Sequence, residues 1–168
     1  NYVISGWKNL TNLYQKIDLQ EDQISRSLRD LKTIILPYFP KLKNINRFEA
    51  YDISNLGPKY FVGSMAVFEQ GIINKNEFRQ FKIYSKLTPD DQFMIKEIIY
   101  RRLKHKEWAW PDFILVDGGK PQVSAASSVC HLPIIGLAKK QETIVIKTNT
   151  NWVEINLPKN SPSLRLLQ

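Results

Sequence analysis

With 168 residues, 43% of them apolar and 24% charged, the chain is long enough for one domain with its own core, and it excludes a disordered tail, a collagen-like repeat and a small disulfide scaffold. The single cysteine, Cys130, allows no intrachain disulfide and fits a reducing compartment. Lysine and arginine number 24 against 16 acids, a net +8 that suits either a polyanionic partner or a solvated basic surface.

No apolar run reaches the length of a membrane span, and no charged-then-apolar leader opens the chain. The first residue is not Met and the last is Gln168, so a piece of a larger protein is expected.

Trp7, Leu10, Leu13, Tyr14 and Ile17 share one helix face by their spacing. A second helix is expected over Ile24, Leu28, Leu31 and Ile35, with Glu21 and Asp22 near its start. This helical segment reads as packing or tether rather than catalysis. Pro37 and Pro40 end it, and residues 36–46 read as an extended connector, closing a first segment of residues 1–46.

From Arg47 the period becomes two. A strand through Phe48, Ala50 and Ile53, one from Tyr60 to Phe68 after a loop with Gly57-Pro58, and a third running from the Gln70-Gly71 turn to about Tyr84 form an antiparallel meander. Thr88-Pro89-Asp90-Asp91 starts a helix expected to reach Lys104 and to bury Phe93, Met94, Ile98 and Tyr100 or Leu103. Phe113-Ile114-Leu115-Val116 reads as a strand buried on both faces. A small-residue helix over Gln122–Val129, a strand over Pro133–Leu137 and a hairpin over 143–155 turned at Thr148–Asn151 follow. Ser161 and Pro162 open a last helix as N-cap and first residue. The order predicts an α/β domain over 47–168: a mixed sheet of a three-strand meander plus parallel strands, flanked by helices, with the last helix cut off. A ribonuclease H-like fold is one architecture of that order.

Asp52 and Asp117 each sit where a strand ends, the edge at which open α/β sheets keep their sites. As a pair they suit chelation of Mg²⁺ or Mn²⁺ through hard oxygen ligands for attack on a phosphodiester. The alternative is that each caps a turn, Asp52 into Ser54-Asn55 and Asp117 into Gly118-Gly119. Asp117-Gly118-Gly119-Lys120 fails the phosphate-loop spacing, because Ile114 and Pro121 stand where Gly and Ser or Thr are needed. Its glycines suit close approach to a ligand or partner, and Lys120 suits contact with a phosphate. His105 and His131 read as surface or turn residues. The run Arg101-Arg102-Leu103-Lys104-His105-Lys106 is either a solvated helix end or a phosphate-contacting patch.

Tyr51-Asp52-Ile53-Ser54, Gly63 to Phe68, Asp90-Asp91 with Arg101-Arg102, Pro111 to Gln122, Ile135 to Lys139 and Ser161 to Gln168 together resemble the C-terminal endonuclease domain of the UvrC family of bacterial nucleotide excision repair. The resemblance covers residues 47–168 and, more loosely, the connector before them. It implies a ribonuclease H-like fold, an Asp-Asp-His metal centre with Mg²⁺ or Mn²⁺, and the incision 5′ to a lesion in damaged double-stranded DNA. It places the first Asp at Asp52 and the second at Asp117, with Asp91 as a further functional acid unless it merely caps its helix. Lys120, Arg101, Arg102 and Lys104 are the candidate DNA contacts. The family's His falls about two turns further along the helix opening at Ser161, beyond Gln168. Through a parent protein the implied partners are UvrB and the UvrA-loaded complex, in the bacterial cytoplasm and the SOS response, with no membrane.

The chain departs from the family at Asn55, where His is usual, and in the loop to Tyr60. It also lacks the tandem helix-hairpin-helix module and the N-terminal nuclease, and its first 35 residues give no clear match to the UvrB-binding segment. Weak DNA binding by this piece is therefore expected, and inactivity alone is compatible with an active parent. A non-catalytic ribonuclease H-like module binding DNA or a repair partner is the rival reading. A resolvase or transposase explains the meander but not Asp117-Gly-Gly-Lys with the final Ser-Pro-x-Leu-Arg.

Overall fold

The computed structural model describes residues 2–55, 61–83 and 91–168, with side chains except those of 2–14, 17 and 55. The helix-face reading at Trp7 to Ile17, the Gly57-Pro58 loop, and the chain positions of Tyr60, Tyr84 and Thr88 to Asp90 fall wholly or in part outside the described residues and side chains.

The amino-terminal segment is one helix, α1 (Tyr2–Ile35), rather than the two expected. Residues 16–23 are helix formers without Gly or Pro, so nothing breaks the helix before Pro37, and Glu21 and Asp22 lie mid-helix. Leu36–Tyr38 adds a 3₁₀ turn with the proline at its start, and the chain then runs on to buried Ile45.

Seven strands form one path in the order β3-β2-β1-β5-β6-β7-β8, and β4 also pairs β2. They are β1 (Arg47–Asn55), β2 (Phe61–Glu69), β3 (Ile72–Ile73), β4 (Arg79–Lys82), β5 (Phe113–Asp117), β6 (Ile134–Ala138), β7 (Thr143–Lys147) and β8 (Trp152–Asn156). The β1–β2, β2–β3, β2–β4, β6–β7 and β7–β8 pairs are antiparallel, and β1–β5 and β5–β6 are parallel. Gln70 (φ 52°) and Gly71 (φ 79°) make the two-residue turn between β2 and β3 with both centres left-handed. The expected third strand is split into β3 and β4 by a 3₁₀ turn at Lys75–Glu77, where Asn74 accepts from the Asn76 N–H instead of continuing the alternation.

Alternation along the strands builds two cores. One face carries Phe48, Phe113, Leu115, Leu137 and Ile144, packed on Leu28, Leu31 and Ile35 of α1 and on Leu164 and Leu167 of α4 (Pro162–Leu167). The other carries Tyr51, Met65, Ile114, Val116 and Val145 against α2 (Asp91–Leu103) and α3 (Lys120–Ser127). Residues 113 to 116 alternate between the two cores, so β5 is covered on both faces, as its continuous apolar run predicts.

Helix α2 corrects two expectations. Phe93 and Tyr100 are 42% and 52% exposed, and the buried stripe is Met94, Ile95, Ile98, Ile99 and Arg102. Arg102 was a candidate phosphate contact, yet it is 1% exposed and forks onto the fully buried Glu49 at 2.8–3.1 Å. Tyr51 donates its hydroxyl to the same carboxylate at 2.6 Å, and Arg102 also donates to the Ala109 carbonyl at 2.7 Å. Its charge is spent inside the protein, and removing it would leave Glu49 buried without a partner.

The cap of α4 is also not the one expected. Ser161 stands at the N-cap but makes no capping bond; the α1 carboxylate of Asp30 instead accepts from the Ser163 N–H at 3.1 Å and from the Ser161 hydroxyl at 3.0 Å. Among the described residues no helix is long and apolar enough to cross a membrane.

Candidate active site

The parallel pairing of β1 with β5 runs Phe48↔Phe113 to Tyr51↔Val116, so Asp52 and Asp117 are the next residues in register. Alternation puts both on the face of Ala50 and Leu115, toward α1 and α4. They line one cavity of about 260 Å³ with Ser64, Lys139, Leu167 and Gln168.

Adjacent register and a shared cavity make the two carboxyls neighbours. Burial first, and then the negative charge of Asp117, push the Asp52 carboxyl above the usual carboxylate value, with Lys139 working the other way. Asp117 accepts from the Lys139 ammonium at 2.7 Å. That hydrogen bond, opposed by burial and helped by the charges of Asp117 and Asp52, raises Lys139 above its ordinary value.

The turn-cap alternative does not describe Asp117. The Gly118 N–H donates to the Leu137 carbonyl at 3.0 Å, and the Gly119 N–H to the Gln122 side chain at 3.2 Å. For Asp52 the local contact is long, 3.4 Å from the Ser54 hydroxyl. Gly118 serves internal packing, whereas a Cβ on Gly119 would meet only Pro121, at 3.9 Å. Gly118 sits at φ +147° with Gln122 2.6 Å from where a Cβ would stand, and a Cβ on Gly136 would lie 2.5 Å from the Gly118 carbonyl oxygen.

The other candidates do not join the pair. Asp91 is an exposed first-turn residue of α2, on the opposite face of the sheet, where an acid suits the helix dipole. Arg101 donates to the Lys82 carbonyl at 2.6 Å and to Glu97 at 3.2 Å, and Lys104 lies 4.5 Å over the Tyr100 ring. Both belong to the α2 end that packs, through Arg102, at Glu49, three residues before Asp52. Lys120 is ion-paired with Glu154 of β8. His105 bonds Glu107 at 2.7 Å and stacks on Trp108 at 4.0 Å, and His131 is exposed. Among the described residues no group of three or more His, Cys, Asp or Glu is placed to hold a metal.

Lys139 was missed. Its signal was a cation at the end of the apolar run Ile134–Ala138, on the strand next to that of Asp117. Four grooves, of about 650, 660, 440 and 390 Å³, are larger than the acidic cavity, but none is lined by more than one carboxylate: Glu69 lines the third and Glu97 the fourth.

A mixed sheet with one acid at the end of β5 and a second beside it inside the longer parallel neighbour β1, covered by helices on both faces, fits a ribonuclease H-like α/β domain. The chain belongs to the UvrC RNase H endonuclease domain family, whose model matches residues 39–168. It is 36% identical over 165 residues to the UvrABC system protein C of Thermotoga maritima, covering 95% of this chain and 27% of that protein. It is 41% identical over 141 residues to the same protein of Pelodictyon phaeoclathratiforme, covering 79% and 22%. The chain thus spans about a quarter of the length of the curated relatives it matches. Among solved structures, the endonuclease V of Ciona intestinalis bound to an inosine-containing DNA has a TM-score of 0.46 and 16% identity, covering 77% of this chain and 56% of that one.

Proposed function

We propose that this chain is the metal-dependent endonuclease domain of a nucleotide excision repair protein, hydrolysing a phosphodiester 5′ to a lesion in double-stranded DNA, with UvrB and the UvrA-loaded complex as partners of the whole protein. The observation that carries the reading is the Asp52–Asp117 pair, two carboxyls side by side in register on adjacent parallel strands and lining one cavity. Family membership makes a nuclease role in repair the context for that pair.

The donor set fits Mg²⁺ or Mn²⁺: two carboxylates, without thiol or imidazole competition. Asp52 and Asp117 would hold the ion, which when bound supplies charge neutralisation and orients water at the phosphate. Leu115, Leu137 and Leu167 wall the cavity and limit the water around the acids. Leu167 and Gln168 bring α4 to the cavity, so a histidine on the following turns, as the family resemblance implies, would approach the same acids.

The test uses a chain extended through those turns, with Mn²⁺ or Mg²⁺, a lesion-bearing duplex and UvrB supplied. Asp52→Asn and Asp117→Asn should each cut strand cleavage by about a hundred- to a thousandfold, the scale of losing one electrostatic stabiliser from an active site. Circular dichroism should be unchanged, since Asn keeps the shape and turn chemistry of Asp. Full cleavage by both variants overturns the reading and leaves the non-catalytic binding module.

A further inference from the structure

Two neighbouring carboxylates lining one cavity repel each other unless a cation or a shared proton stands between them. The cation here belongs to the protein. Lys139 follows directly on β6, whose Leu137 pairs with Asp117, and its side chain turns back over the strand end to place Nζ 2.7 Å from Asp117 Oδ2. The other basic candidates are engaged elsewhere: Lys120 with Glu154, Arg101 with Glu97, Arg102 with Glu49. The Lys139 side chain is 54% exposed, lines the same cavity as both acids, and is a flexible stem carrying a point charge.

We propose that Lys139 is the built-in counter-cation of the Asp52–Asp117 pair, holding Asp117 until an incoming divalent ion displaces it. The inference rests on the reading of the pair as a metal site and adds to it a residue that sets metal affinity. A divalent ion on the pair must break the Lys139–Asp117 bond and sit beside a like charge, so the lysine lowers affinity for metal while keeping the metal-free acids together. Its exposure gives the ammonium somewhere to go without disturbing the core.

The test is Mn²⁺ binding by calorimetry to the 168-residue chain, comparing wild type, Lys139→Met, Lys139→Arg and Asp117→Asn. Lys139→Met should bind Mn²⁺ about five- to tenfold more tightly, the effect expected of removing one charge a few ångströms away at a solvated site. Lys139→Arg, which keeps the charge, should stay near wild type, and Asp117→Asn should lose binding. In a Mg²⁺ titration followed by NMR, the Lys139 Nζ and Cε resonances should shift with the same midpoint as binding, which a lysine outside the site would not do. Equal Mn²⁺ affinity in wild type and Lys139→Met, or unmoved Lys139 resonances at saturating Mg²⁺, overturns the inference and leaves the metal site standing. If neither wild type nor Lys139→Met binds Mn²⁺, the metal reading falls and the inference with it.

Discussion

Asp52 is held where its ionised form is disfavoured, by burial and by its neighbour Asp117. The sign follows from linkage. Its folded pKa lies above the unfolded value of 3.8, so the folded chain takes up protons that the unfolded chain has released. The penalty is absent below that unfolded value and grows as pH rises through the folded one. Without metal at pH 7–8, Asp52→Asn should therefore raise the melting temperature slightly, by about 1–2 °C after discounting for solvent screening. The gap should close below about pH 4, a behaviour checked by thermal melts in EDTA across pH. A variant that melts lower than wild type at neutral pH would mean that Asp52 stabilises the fold. Both acids were legible in the sequence because Asp117 ends an apolar run and Asp52 follows a strand-like stretch, and strand ends collect sites, although β1 continues three residues past Asp52. Lys139 was not legible, because a lysine after a strand looks like any solvated lysine until β5 and β6 are known to be parallel neighbours. Arg102 misled for a related reason: its partner Glu49 lies 53 positions away, and by residue type both read as surface although Arg102 continues the buried stripe of α2.

At the scale of elements, the cavity depends on how α4 is held. Burial works against the charge of Asp30, but the bonds from Ser163 and Ser161 outweigh it and keep this carboxyl below its ordinary value. A depressed carboxylate contributes stability that is present above its unfolded pKa of 3.8 and is lost as pH falls through the folded value. Asp30→Ala should then cost about 1 kcal/mol at neutral pH, the usual worth of an N-cap. Melting should fall by about 2–4 °C, and Asp30→Asn should recover part of that. Melts at neutral pH and below pH 3 check both the size and its disappearance in acid. Because Leu167 and Gln168 line the acidic cavity, loosening α4 also loosens one of its walls. Elements with an unbroken apolar run or a clear turn, such as β5 and the β7–β8 hairpin, were legible to within a residue or two. The continuity of α1 and the break between β3 and β4 were not. Acidic residues resemble a helix start wherever they fall, and Asn74 decides the break by a local side-chain bond. Asp112, part of the family-like run, pins strands instead of doing chemistry: its carboxylate accepts from the Asn46 and Arg47 N–H groups at 2.7 and 2.9 Å, fixing β1 beside β5.

For the whole molecule the relevant quantity is charge that reaches solvent. Arg102 with Glu49, and Arg47 with Glu69 at 2.6 Å and Glu77 at 2.5 Å, form networks anchored in the interior that use two arginines and three glutamates. The remaining surface is thus no less basic than the net +8. The candidate DNA contacts and Lys139 do not share one track: Lys139 and Lys120 are ion-paired, and Arg101 on α2 and Lys104 just after it lie across the sheet from the acidic cavity. A dispersed basic surface engages few phosphates at once, and no motif in the chain reads base edges. Binding to duplex DNA should accordingly be weak and indifferent to sequence. With two to four phosphates engaged, a plot of log affinity against log salt should have a slope of about −2 to −4. Affinity would then fall about 15- to 250-fold between 50 and 200 mM salt. Fluorescence anisotropy with two unrelated duplexes at several salt concentrations measures both properties. Tight binding that persists at high salt, or a marked preference for one duplex, would contradict a purely electrostatic surface and require a base-reading contact. Replacing Lys104 with Glu should weaken binding equally for both duplexes and flatten the slope by about one, because a phosphate contact carries charge but no sequence information.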